Sequence, residues 1–68
     1  MDEAKAREFL DRHGDLIMET LSSNFRLLQE ARDDAIRNGW YMIRKTCQQE
    51  MDETIAAMRE LELLRGEG

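Results

Sequence analysis

The sequence predicts an all-α helical hairpin, and three observations carry that expectation. The chain contains no proline, so nothing in it forbids long helices. Apolar residues recur at helical spacing through both halves. Between the halves stands one Asn-Gly pair, Asn38-Gly39; glycine adopts the left-handed backbone that ends a helix, and asparagine tolerates the adjoining turn. The expected elements are a long helix over about 3–37, with a kink or break at Gly14, and a second helix over about 40–65, within a single domain, 1–68.

The first helix opens with Asp2 and Glu3, acidic residues suited to the positive end of a helix dipole. Glu3 with Arg7 and Glu8 with Arg12 form i,i+4 pairs in the favourable order, each contributing about 0.2–0.5 kcal/mol. His13-Gly14-Asp15 has the composition of a helix end followed by a new N-cap. The periodicity runs on regardless. At 100° per residue Leu10, His13, Ile17, Leu21, Asn24, Leu28, Ala31 and Ala35 make one stripe across Gly14, whereas a true loop would reset the phase. A kink or short break and a straight helix are both compatible with this pattern.

Over 15–37 the apolar arc is wide. Met18, Phe25 and Ile36 lie to one side of the stripe, and Leu16 and Leu27 to the other. The arc spans about 200°, twice the roughly 100° of a helix packed on one surface. Such a helix requires two neighbours: the second arm, and either another chain or residues 2–13. The second arm has a narrower stripe, Trp40, Ile43, Cys47, Met51, Thr54, Ile55, Met58 and Leu61, flanked by Ala57 and Leu64, with Lys45, Gln49, Asp52, Arg59 and Glu60 opposite. Gly66-Glu67-Gly68 reads as a frayed terminus.

Size points the same way as the arc. A 68-residue domain buries little apolar surface, and the usual remedies are disulfides, a metal or oligomerisation. Cys47 is the only cysteine and His13 the only histidine, which leaves oligomerisation. The expected assembly is a homodimeric four-helix bundle of coiled-coil type, with Leu16, Ile17, Leu21, Phe25, Leu28, Ile43, Cys47, Met51, Ile55, Met58 and Leu61 as candidate self-association residues.

The net charge is −5, shared between residues 1–38 (six basic, nine acidic) and 39–68 (four basic, six acidic). This balance disfavours general nucleic-acid binding, which requires a positive face. No apolar run approaches the roughly 20 residues of a membrane span, and no signal-peptide pattern opens the chain. With an unpaired thiol, a cytoplasmic location is expected. The initial Met1 suggests a complete small open reading frame.

Catalytic chemistry finds few footholds. Cys47 lies on an apolar stripe and reads as a core thiol, because a nucleophile needs an adjacent base and His13 belongs to the far end of the hairpin. His13 reads as a structural, at least half-buried histidine: Leu10 occupies the position where a di-iron bundle places glutamate. No metal, cofactor or catalytic residue is assigned, and the chain is expected not to be an enzyme. Asn24 and Thr54 either hydrogen-bond across the bundle and fix its register or sit at the stripe's edge in water. Met18, Met51 and Met58 read as core, with an adaptable peptide groove as the alternative.

The turn is the most suggestive region. Arg37, Arg44 and Lys45 bracket Trp40, Tyr41 and Met42, and arginine with tryptophan and tyrosine is the composition of interface hot spots and of base-stacking sites. These six are the candidate partner contacts, Tyr41 and Met42 being the more exposed by phase. The leading expectation is therefore a small regulatory protein that self-associates and binds a protein partner. A second is a nucleic-acid regulator. In length and two-helix pattern the chain resembles the Rop-type RNA-binding hairpin of plasmid copy-number control, without a shared residue motif, and in that reading the basic turn would bind RNA. A third is an acidic inhibitor protein.

Overall fold

The computed structural model describes residues 2–66. They form two helices, α1 (Glu3–Asn38) and α2 (Tyr41–Gly66), joined by a tight turn into an antiparallel hairpin. The molecule is a rod of 48 × 18 × 15 Å. Among the described residues no helix is long and apolar enough to cross a membrane.

Both ends of α1 are capped by the residues that the sequence puts there. The Asp2 carboxylate accepts from the Lys5 amide at 2.8 Å, and Glu8 pairs with Arg12 at 3.0 Å. Glu3 and Arg7, the other expected pair, do not approach within ion-pair distance. At the turn Gly39 takes φ 72°, a left-handed conformation that costs a side-chain-bearing residue about 1–2 kcal/mol. Its amide donates to the Ile36 carbonyl at 3.3 Å and the Trp40 amide to that of Ala35 at 2.9 Å, the paired bonds of a Schellman cap. The Asn38 side chain closes a further carbonyl, that of Asp34, at 2.8 Å. The Trp40 carbonyl then accepts from Arg44 at 2.9 Å and starts α2.

Gly14 neither breaks nor ends the helix, and residues 2–13 are no separate element: α1 runs unbroken through them. The glycine is buried because the Arg65 side chain lies over it, and a Cβ there would stand 2.6 Å from Arg65 Nε. Arg65 continues to Asp15 at 2.8 Å. Gly14 thus makes room for a crossing side chain, a role that a local reading of His-Gly-Asp does not reveal. Because Arg65 meets Gly14, residues 3–12 project beyond the end of α2, and only Ala6 and Leu10 among them are half-buried.

The seam follows a seven-residue period. On α1 the line is Gly14, Met18, Leu21, Phe25, Leu28, Arg32 and Ala35; on α2 it is Cys47, Met51, Thr54, Met58, Leu61 and Arg65. Steps alternate between four and three residues, the pattern of a left-handed coiled coil. Every residue of both lines is buried or half-buried. The α2 line agrees with the sequence stripe, except that Trp40 and Ile43 remain exposed. The α1 line is rotated from it: His13, Asn24 and Ala31 are exposed, and Gly14, Met18, Phe25 and Arg32 take their place. The cause is the width of the apolar arc, whose middle does not coincide with the part that α2 covers.

Several side-chain expectations resolve accordingly. His13 is exposed and rests on Phe9, ring centroids 4.7 Å apart. Thr54 is buried, but its hydroxyl donates to the Glu50 carbonyl of its own helix at 2.7 Å, so it fixes no register across the seam. Asn24 faces water. Met51 is core, Met18 and Met58 are half-buried beside it, and Cys47 is a buried free thiol. Gly66, expected to belong to a frayed end, is helical, and Glu67 and Gly68 lie outside the described residues.

Candidate interaction site

Two flanks border the seam, and their chemistry differs. On one flank Ser22, Gln29 and Ile36 of α1 line up at seven-residue intervals beside Tyr41, Gln48 and Ile55 of α2. Near the turn this flank opens into a depression of about 400 Å³ lined by Arg32, Ile36, Tyr41, Arg44, Lys45, Gln48 and Gln49. Arg32 crosses its floor. One of its terminal nitrogens donates to Gln48 Oε1 at 3.0 Å and the other to Asp33 at 3.3 Å, while Nε is buried with no partner among the described residues. Gln48 is held in turn by Asp52, to which its amide donates at 3.1 Å. The Arg44 guanidinium lies 5.4 Å from the centre of the Tyr41 ring, within cation–π range. Arg44 and Lys45 form no ion pair among the described residues.

Of the six turn residues singled out in the sequence, the structure gathers Tyr41, Arg44 and Lys45 in this depression. Trp40 adjoins it in a smaller hollow with Ala35, Ile36, Gly39, Tyr41 and Arg44. Arg37 is engaged by Asp34, and Met42 lines neither hollow. Arg32, Gln48 and Gln49 were not singled out. Their signal was available in principle: Arg32 falls in the four-three line Phe25, Leu28, Arg32, Ala35, where a long side chain buries its stem and carries its charged head to the rim.

The other flank is apolar and continuous with the back of α1. Phe9, Leu10, His13, Leu16, Ile17, Thr20, Ser23, Asn24, Leu27 and Ala31 share this side and include no Asp, Glu, Lys or Arg, while Glu19 borders it in a hollow with Leu16, Thr20 and Ser23. The strip is about 30 Å long. Leu16 is 64% exposed and Leu27 63%. On α2 this flank carries Ile43, Glu50, Ala57 and Leu64 at seven-residue intervals; Ile43 and Leu64 are half exposed, with the Glu50 carboxylate between them.

The candidate self-association residues divide along these lines. Leu16, Ile17, Leu21, Leu28 and Ile43 lie on or beside the uncharged strip; Phe25, Ile55 and Met58 border the opposite flank. Cys47, Met51 and Leu61 are already buried within the hairpin. No group of three or more metal-ligating side chains occurs among the described residues. Comparison with known proteins adds nothing to this geometry: no family model, curated protein or solved structure matches the chain.

Proposed function

We propose that this chain is a non-enzymatic interaction module that self-associates through the uncharged face of α1 and presents its basic, aromatic turn end to a protein partner. The observation that carries the reading is the strip on α1, whose large apolar side chains Phe9, Leu16 and Leu27 stay exposed in a chain that is 37% charged.

Surface area supports it quantitatively. A compact monomer of 8.0 kDa exposes about 4,500 Å² by the mass scaling of folded proteins. This chain exposes 5409 Å². The excess, roughly 900 Å², is close to the approximately 800 Å² that each partner buries in a stable interface. Among the described residues the buried hydrophobic side chains are four, Ala35, Cys47, Met51 and Leu61. A second copy over α1 supplies the apolar contact that the isolated hairpin lacks.

At the turn, three cations around an aromatic ring and an isoleucine suit a partner segment that carries carboxylates next to an apolar anchor. Nucleic acid is a second reading, favoured by the contact between Arg44 and Tyr41 and opposed by the net charge of −5. Sedimentation equilibrium under reducing conditions tests self-association and is expected to give twice the chain mass. Trp40 fluorescence, titrated with an acidic amphipathic peptide and separately with single-stranded RNA, tests the turn. The expected result is saturation by the peptide that Arg44→Ala with Lys45→Ala abolishes; saturation by RNA alone would replace this reading with the second.

A further inference from the structure

We infer that the second copy lies antiparallel along α1, so that the turn end of one hairpin meets the open end of the other. This inference rests on the self-association proposed above and adds its direction, its register and the position of the two turn ends.

Folding sorts the charge by end. The turn half, residues 21–49, carries five basic and three acidic side chains, a net charge of +2. The open half, residues 2–20 with 50–66, carries five basic and eleven acidic, a net charge of −6. The division is invisible along the chain, because each arm has an acidic end and an end that is neutral or basic, and the hairpin stacks them like on like. On α1 itself, the helix that meets the second copy, residues 2–20 carry three basic and six acidic side chains, net −3, and residues 21–38 carry three of each. Parallel copies set −3 beside −3, whereas antiparallel copies set each acidic end against a neutral one. Like-charge juxtaposition is costly at interfaces, and complementary potentials select orientation.

The strip is also self-complementary about its centre. It runs from Phe9 to Ala31, and its midpoint, residue 20, coincides with the middle of α1, Glu3–Asn38. A two-fold axis between Thr20 and Leu21 therefore overlaps the whole of both first helices, with Leu10 facing Ala31 of the second copy and Ile17 facing its Asn24. Residues 3–12, which project beyond α2, then lie against the turn end of the second copy. In parallel packing the two projecting segments would meet only each other. The basic depression lies on the opposite flank from the strip, so both depressions stay open and stand at opposite ends of the dimer. The assembly is thereby bivalent and suited to bridging two partner molecules.

Disulfide mapping in a Cys47→Ala background tests the direction. Thr20→Cys, at the centre, faces its own copy in either orientation and reports only whether the strip is an interface. Leu10→Cys and Ala31→Cys report direction. The expected result is that Thr20→Cys crosslinks alone, while Leu10→Cys and Ala31→Cys crosslink when mixed at least about ten-fold more than either does alone, because a disulfide requires Cα atoms within about 7 Å. If Leu10→Cys and Ala31→Cys each crosslink to themselves, the packing is parallel and the inference is overturned while self-association stands. If Thr20→Cys fails to crosslink and the wild-type mass is that of one chain, self-association itself is overturned. Because Leu10→Cys removes a half-buried side chain, nitroxide labels at the exposed Ser23 and Glu30 provide a second reading. Antiparallel packing makes the 23–23 distance the shorter of the two by about 20 Å; equal distances would contradict it.

Discussion

The two helices use their apolar surface differently. Over 26 residues α2 buries Cys47, Met51, Thr54 and Leu61, and its charged residues Lys45, Asp52, Arg59 and Glu60 are exposed. It behaves as an amphipathic helix with one neighbour. Over 36 residues α1 buries only Gly14 and Ala35, although its apolar arc is about twice as wide as one packing surface requires. What the comparison teaches is that burial within the hairpin is decided by the narrower helix, and the surplus on the wider one is the surface on which we propose that a second copy packs.

The largest expected effect breaks the surplus alone. Leu16→Asp with Leu27→Asp places charge on side chains that do not touch α2, and each lost leucine contact is worth about 1.5–3 kcal/mol. Self-association should weaken by more than about 100-fold, measured by sedimentation across a concentration series. Next comes Met51→Ala, at 3% exposure, which attacks the seam instead. Loss of a buried methionine costs about 2–5 kcal/mol, so urea unfolding should shift to a lower midpoint at every protein concentration. The two variants separate the helices' roles: the first is rescued by nothing within the hairpin, and the second damages both folding and assembly.

Smaller effects sharpen the picture at the two ends of the rod. Gly39→Ala forces a side chain into φ 72° and should cost about 1–2 kcal/mol, a melting temperature lower by several degrees. Gly14→Ala is smaller still, because two terms oppose each other. Alanine gains about 1 kcal/mol of helix propensity, while its Cβ displaces Arg65 from a largely exposed ion pair of little worth. The variant should be near neutral in the wild type and stabilising by about 1 kcal/mol in an Arg65→Ala background. Thermal melts of all four proteins complete the cycle.

Much of the fold was legible because the deciding signals are local. Asn38-Gly39 has the chemistry of a helix end, Asp2 that of a cap, and the α2 stripe names its core almost residue by residue. What was not legible depends on contacts distant in sequence. Gly14 reads locally as a stop and is in fact a seat for Arg65, fifty-one positions later. Arg32 reads as a surface charge until Gln48 is placed opposite it. The phase of the α1 seam is not legible because an arc of about 200° has no unique middle: His13, Asn24 and Ala31 fall on the sequence stripe but belong to the free side. The basic turn could be read from Arg37, Trp40, Tyr41, Arg44 and Lys45; its geometry could not, since Arg37 turns to Asp34 and Arg32 enters from the other helix.

The most direct test uses three leucines that the hairpin alone exposes equally: Leu16 at 64%, Leu27 at 63% and Leu63 at 62%. The first two lie on the free side of α1, the third on the outer side of α2. Methyl relaxation by a soluble paramagnetic agent reads their exposure in solution. The account predicts that Leu27, and to a lesser degree Leu16, are protected while Leu63 relaxes freely, with protection fading on dilution. Equal relaxation of all three, in a folded protein at high concentration, would contradict it.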